Sequence, residues 1–463
     1  FITLAEILML AIPVAQLIYY GLYKACINEN GMEMIQETHY NEIIEYIKSM
    51  PLMLNIAAFF GSILITLIVL FFNYQELIIS QSKPIINLAV IAAVAIFLST
   101  YLWKKKHGVF IRTAIVEFYL DVKEYLATNL QYTQNMQERI SKLQVTTLDK
   151  STKPHTILLI IGESESRDYM KAFNKDYPLE TTPWLSEMEQ SKNFILFPNA
   201  FSIGANTVLA VSNALTEINQ YNDKKFYESC SIIDIAHAAG YKVHWYSNQG
   251  HLGSADTPVT LIANTADVAK WTKQELNQVQ YDESLLPYLQ ELNPTQNNFL
   301  VVHLKGSHFN FLNRYPESFT KFGTPGKYEL ELNYANSVAY TDYVLEKIFS
   351  YAKQNLNLQA MVYFSDHATV PDKRRSPNFE GLASVRIPLF TYFADEYIAE
   401  HKMTYATLKQ HENYYWTNDL AYELLCSILS IKSNCFDEEN SLASEKFRYK
   451  RKDLRTNCGQ IKI

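Results

Sequence analysis

Three apolar runs occupy most of the first hundred residues: Phe1 to Tyr23, Met50 to Phe72 and Pro84 to Trp103. Each is about as long as a helix must be to cross the hydrocarbon core of a bilayer. Tyr19, Tyr20, Tyr101 and Trp103 stand near the ends of the runs, where amphipathic rings favour the interface. Helices of a soluble bundle normally keep a polar stripe, and these runs have none. They are therefore expected to be transmembrane helices at about 1–23, 50–72 and 84–103. The chain begins with Phe1, and an N-terminal portion with earlier spans is expected ahead of it.

Charge around the runs does not fix their orientation. The connection "KACINENGMEMIQETHYNEIIEYIKSM" is polar and mostly acidic, whereas Lys104, Lys105, Lys106 and His107 come after the third run. The positive-inside rule would put those lysines, and the domain C-terminal to them, in the cytoplasm, but it weakens for large domains. Residues 104–153 read as a linker. Within it, "IVEFYLDVKEYLATNLQYTQNM" has apolar residues at helical spacing. It either lies along the membrane surface or packs on the domain after it.

The formal charge of -7 argues against a nucleic-acid surface. Five cysteines in 463 residues make no disulfide framework, and they lack the paired short spacings of a structural zinc module. Cys426 and Cys435 are near enough in sequence to bridge a short loop, which the sequence leaves open.

From about residue 154 apolar runs of strand length alternate with helical patterns. Strands are expected at Thr156 to Ile161, Phe194 to Pro198, Lys242 to Tyr246, Asn298 to Leu304, Gln359 to Phe364 and Ile387 to Phe393. Helices are expected at Ser231 to Ala239, Leu330 to Lys353 and Thr417 to Ile428. Such alternation predicts an α/β domain over 154–463 with a mainly parallel central sheet. Ligands collect beyond the carboxyl ends of parallel strands, and the residues there are distinctive. Gly162-Glu163 comes after the first strand, "HLKGSH" with His303 and His308 ends the fourth, and "SDH" with Asp366 and His367 comes after the fifth. Oxygen and nitrogen donors of this mix suit zinc, with manganese possible. In "FSIGANTVLAVSNALT", Asn206 and Thr207 stand where a helical pattern begins. A hydroxyl there feels the positive end of a helix and, beside a metal, would become a nucleophile. The plainer alternative is an N-cap.

The ordered set "IGES", "TTPWL", "NAFS…NT", "HLKGSHFNFLNRYP", "YTDYVL" and "YFSDH" closely resembles the phosphoethanolamine transferases of Gram-negative bacteria. These are inner-membrane members of the alkaline phosphatase and sulfatase superfamily. The resemblance implies several membrane spans ahead of a periplasmic catalytic domain, and so decides the orientation against the lysine count. It implies a two-step, metal-dependent transfer from phosphatidylethanolamine to lipid A, a lipopolysaccharide core sugar or a related surface glycan. Glu163, Thr207, Asp366 and His367 match the family's zinc ligands, with Thr207 the nucleophile. His303 and His308 match histidines near the phosphate, where they would bind a second metal, neutralise charge or, for His308, protonate the leaving alkoxide. Asn206 joins them as a candidate substrate contact. The chain departs from better-known members after the Asp-His pair. Ala368 replaces the usual Gly, no His appears before His401, and Lys373, Arg374 and Arg375 occupy the loop. That puts a second metal in doubt. The basic loop would either neutralise phosphate in its place, through Lys373 and Arg374, or simply face solvent. The expected partners are the lipid donor, the glycan acceptor and the membrane, with the chain a monomer.

A phosphoglycerol transferase of the lipoteichoic-acid synthase type shares the metal-threonine logic and is the nearest rival. A non-catalytic membrane protein that retained the fold for binding is a rival of another class. A sulfatase activity is disfavoured, because no Cys or Ser lies in the Cys/Ser-x-Pro-x-Arg setting of formylglycine.

Overall fold

The computed structural model describes residues 52–82, 126–148, 153–250, 257–273, 278–326, 329–372 and 381–463, with Tyr20, Ala93, Ile96, Lys123 and Ser151 isolated among the rest. The first and third apolar runs, but for those isolated residues, lie outside the described residues. So do the acidic connection, Lys104 to His107 and Lys373 to Arg375.

The chain forms two compact units. In the first, helix α1 (Leu52–Ser82) takes up the second apolar run. Phe60, Leu64, Phe71 and Phe72 on it are each more than half exposed. Among the described residues no helix is long and apolar enough to cross a membrane.

The second unit holds Leu126–Ile463. In chain order its main elements are α2 (Met136–Lys142), β1 (Val145–Thr147), β2 (Thr156–Gly162), α3 (Pro183–Met188), β3 (Phe194–Leu196), β4 (Ala200–Phe201) and α4 (Thr207–Leu215). Next come α5 (Ile232–Ala238), β5 (Lys242–Ser247), β6 (Val268–Trp271), β7 (Asn298–His303), α6 (Leu330–Asn355) and β8 (Leu358–Ser365). After these come β9 (Leu389–Phe393), β10 (Trp416–Thr417), α7 (Ala421–Ile428) and β11 (Ile431–Ser433), and a small antiparallel pair, Arg455–Thr456 with Ile461–Lys462, lies near the C-terminus.

The central sheet has seven strands in the order β3-β9-β8-β2-β7-β5-β6. Strands β8, β2, β7, β5 and β6 run parallel, while β9 is antiparallel to β8 and β3 to β9. The sheet is therefore mixed, with a parallel majority. Strand β2 is buried along its whole length, as a central parallel strand covered on both faces must be. Ile157, Leu159 and Ile161 belong to one core cluster, with side chains of α4, α5 and α7. Leu158 and Ile160 face the opposite cluster, with side chains of α3 and α6. The period of two thus sorts β2 between two helical layers.

The stretch before β1 packs on the domain. Tyr132 is almost fully buried and stacks on Phe226 at 4.3 Å. The guanidinium of Arg139 sits 3.8 Å above the Tyr132 ring. From Leu126 on, the linker packs on the domain through Tyr132 while Leu126 and Leu130 stay exposed, a pattern that either reading of the amphipathic linker allows.

Candidate active site

Because β2, β7 and β8 are parallel, the residues just beyond their carboxyl ends emerge at one edge of the sheet. Three backbone hydrogen bonds then draw their loops together. Asp366 N donates to Gly162 O at 3.0 Å, Ser307 N to Glu163 O at 2.9 Å, and Leu304 N to Ile161 O at 2.9 Å.

Glu163 is 1% exposed and Asp366 is fully buried. Their side chains face His367, whose Nε2 lies 3.5 Å from Glu163 Oε1 and 3.5 Å from Asp366 Oδ2. The three donor atoms fall within 4.8 Å of one another. His367 Nδ1 lies 3.1 Å from the carbonyl oxygen of Ala368. A carbonyl only accepts, so Nδ1 carries the proton, and in the neutral form of the ring the lone pair of Nε2 faces the carboxylates. Asp366 Oδ1 accepts from Ser164 N at 2.9 Å and His367 N at 2.6 Å, but among the described residues Oδ2 has no hydrogen-bond donor. Burial raises the Asp366 carboxyl above its ordinary value, against those hydrogen bonds. Two buried carboxylates and an imidazole lone pair aimed at one point fit a divalent cation of the zinc class.

Thr207 joins this group. It is the first residue of α4, and its Oγ1 donates to Glu163 Oε2 at 3.0 Å. Asn206 is the N-cap: its Oδ1 accepts from Leu209 N at 3.0 Å. The capping reading therefore holds for Asn206, and it leaves the Thr207 hydroxyl at the positive end of the helix.

The two other histidines stand outside the three-donor group. His303 ends β7, is 3% exposed, and meets the Trp245 ring edge-on at 5.9 Å. Burial, and then the neighbouring Lys305 cation, push its pKa down to about 3, so it stays neutral. His308 N donates to Lys305 O at 3.2 Å, and its Nδ1 lies 3.3 Å from Phe309 O. Lys373 and Arg374 lie outside the described residues.

Several residues that hold the site in shape were not legible in the motifs. Ser164 takes a left-handed φ of 61°, a strained conformation for a residue with a side chain. Tyr334 of α6 secures it: its hydroxyl donates to Ser164 O at 2.8 Å and accepts from Ser166 N at 2.8 Å. Asn418 ties the loop before α4 to the Asp366 loop. Its Nδ2 donates to Asp366 O at 2.7 Å and its Oδ1 accepts from Ile203 N at 2.9 Å. Asp282 receives Lys305 N at 2.7 Å and Gly306 N at 2.8 Å, and so fixes the "HLKGSH" loop. No sequence signal marked Asn418, which the expected helix from Thr417 to Ile428 would have absorbed; the helix begins only at Ala421. The sequence left a Cys426–Cys435 bridge open; in the structure Cys435 Sγ lies 3.1 Å from Cys230 Sγ, and Cys426 is buried in α7.

With this geometry in place, residues 155–426 match the sulfatase family. The chain belongs to that family. It is 29% identical over 275 residues to phosphoethanolamine transferase EptC of Escherichia coli K12, covering 55% of this chain and 47% of that one. It is 29% identical over 289 residues to a putative phosphoethanolamine transferase of Haemophilus influenzae, covering 57% and 58%. The chain thus spans about half the length of these relatives. The zinc complex of the C-terminal periplasmic domain of E. coli EptC shares the fold, with a TM-score of 0.62 at 23% identity, over 69% of this chain and 94% of that domain. So does the integral membrane protein EptA of Neisseria meningitidis, a lipooligosaccharide phosphoethanolamine transferase, at a TM-score of 0.66, 17% identity and coverages of 95% and 86%. The resemblance read from the motifs is borne out, and so is the alkaline phosphatase and sulfatase-like α/β domain.

Proposed function

We propose that this chain transfers phosphoethanolamine from phosphatidylethanolamine to lipid A, a lipopolysaccharide core or a related surface glycan, through a covalent intermediate on Thr207. The observation that carries the reading is the hydroxyl of Thr207, 3.0 Å from Glu163 Oε2 and at the start of α4, beside Asp366 and His367. Nucleophile, first proton acceptor and candidate metal ligands meet at one point, in a chain similar to phosphoethanolamine transferases.

Glu163, Thr207, Asp366 and His367 would hold one zinc ion, which when bound lowers the pKa of a hydroxyl and offsets phosphate charge. The same donors accept manganese, and the proposal needs no second metal. Glu163 Oε2 is placed to take the Thr207 proton. The hydroxyl oxygen attacks phosphorus, and the bond from phosphorus to the diacylglycerol oxygen breaks. That alkoxide takes a proton from His308, the histidine of the neighbouring loop. A hydroxyl of the acceptor, giving its proton to the now deprotonated His308, or an already ionised phosphate oxygen then attacks the same phosphorus; the bond from phosphorus to Thr207 Oγ1 breaks, and Thr207 regains the proton held on Glu163. Lys373 and Arg374 are assigned to the phosphate charge, with His303 a neutral support rather than a cation.

A donor with two acyl chains stays in the bilayer, so the reading places the protein in the bacterial inner membrane with residues 154–463 in the periplasm. The apolar runs at 1–23, 50–72 and 84–103 would be the spans, and the exposed aromatic and aliphatic side chains of α1 suit lipid contact.

The test is the adduct. Incubation with phosphatidylethanolamine and no acceptor should release diacylglycerol and leave phosphoethanolamine on a peptide between Ile203 and Leu215. Thr207→Ser should retain partial activity and Thr207→Ala should lose transfer. An adduct on Ser164, Ser166 or Ser202, or undiminished transfer by Thr207→Ala, refutes the assignment.

A further inference from the structure

Cys230 and Cys435 are far apart in sequence, yet their sulfur atoms approach to 3.1 Å. A disulfide requires about 2.0 Å, so a shift of about 1 Å would join them. Cys230 is buried and Cys435 half-buried. Glu217 lies beside them, and the three donor atoms are close enough to hold a cation. The carboxylate is already engaged, however. Its Oε1 accepts from Cys230 N at 2.9 Å, and its Oε2 is paired with the Lys224 ammonium. A metal would have to displace that lysine, whereas a bond between the sulfurs disturbs neither contact.

The place of Cys435 gives the pair a purpose. It lies just beyond β11, which pairs antiparallel with the linker strand β1 through Val145↔Ser433, Thr146↔Lys432 and Thr147↔Ile431. Asn434 extends the contact: its Oδ1 accepts from Gln144 N at 2.8 Å and its Nδ2 donates to Lys142 O at 3.2 Å. The linker therefore hangs on residues 431–434, and the next residue is the cysteine. Cys230 belongs to the segment between α4 and α5, where the next residue, Ser231, forms the capping box of α5 with Asp234. We propose that Cys230 and Cys435 form a disulfide that clamps the docking strand of the linker to the catalytic domain.

The chemistry is thiol-disulfide exchange with an oxidised dithiol oxidoreductase. The Cys230 thiol, and then the Lys224 ammonium, favour the thiolate at Cys435, so Cys435 attacks first. One donor sulfur leaves as a thiolate and takes up the proton that Cys435 released. The Cys230 thiolate then attacks Cys435 Sγ, and the second donor sulfur leaves and is protonated. The two cysteines lose one hydrogen each, and the donor disulfide is reduced to a dithiol. The inference rests on the proposed periplasmic location, because a cytoplasmic domain would stay reduced.

The full-length protein, isolated without reductant and alkylated under denaturing conditions, should yield a Cys230–Cys435 cross-linked peptide lighter by two hydrogens than the reduced pair. Both thiols should become alkylated only after reduction. Reduction should lower Tm and speed proteolysis around residues 142–148. The Cys230→Ser/Cys435→Ser double variant, folded by circular dichroism, should show neither response. If the bond forms with oxidised glutathione but not in cells, the pairing stands and the periplasmic assignment fails. Both thiols alkylated before reduction under both conditions, pairing of either with another cysteine, or a metal released with the thiols would overturn the disulfide.

Discussion

Gly306 is where the fold and the active site constrain each other most directly. It has a φ of +48°, and a Cβ there would lie 2.8 Å from Glu163 O and 3.0 Å from Glu163 N. Both neighbours are backbone atoms and have no rotamer to escape into. The left-handed conformation alone costs an alanine about 1–2 kcal/mol, and forced overpacking adds about 1–3 kcal/mol. Gly240 provides the control. Its φ is +89°, but a Cβ there meets nothing within 4 Å, so Gly240→Ala incurs only the conformational cost. In a domain of this size about 1 kcal/mol moves Tm by about 2 °C. Gly306→Ala should therefore melt about 2–6 °C below Gly240→Ala. The displaced atoms belong to the Glu163 backbone, so the effect should reach chemistry. A misplacement of a few tenths of an ångström at Glu163, the proposed proton acceptor of Thr207, should slow transfer by about tenfold. Differential scanning calorimetry and release of diacylglycerol from acyl-labelled phosphatidylethanolamine measure the two effects. A Gly306→Ala protein that melts with Gly240→Ala and transfers at the wild-type rate would show that the close approach has no functional consequence.

Asp366→Ala should lose bound zinc along with transfer, measured by elemental analysis of the purified protein; normal zinc content would remove Asp366 from the ligand set. His308→Ala should slow transfer by about 100-fold while zinc stays bound, since His308 lies outside the three-donor group; loss of zinc would instead make it a ligand. Glu423 tests the pH dependence of stability away from the site. Burial raises its carboxyl from 4.5 to about 8, so the folded state keeps a proton that the unfolded chain releases. Its contribution therefore falls as pH rises from about 4.5 to about 8 and is flat above that. Glu423→Gln should flatten this slope, and its stability relative to wild type should rise by on the order of 4 kcal/mol between pH 5 and pH 9. Parallel wild-type and variant denaturation curves across that range would count against a buried, protonated Glu423.

The strands that build the site were legible because burial on both faces leaves an unbroken apolar run. Strand β2 reads that way from Thr156 to Ile161 and extends only to Gly162. The carboxylates and imidazoles beyond such runs were legible too, since polar groups directly after a buried strand need a reason. Strand β6 was missed because its four residues are only half-buried and show no apolar run. The reversed direction of β9 was also hidden: side-chain pattern encodes which face is buried, not which way the backbone runs. Tertiary structure alone brought Tyr334 to the strained Ser164, Asn418 to the Asp366 carbonyl, and Cys435 to Cys230 rather than Cys426. These contacts join segments up to 205 residues apart. Each partner by itself is an ordinary buried tyrosine, asparagine or cysteine. Local sequence sets what a segment can bury, and packing of the assembled layers sets what it meets.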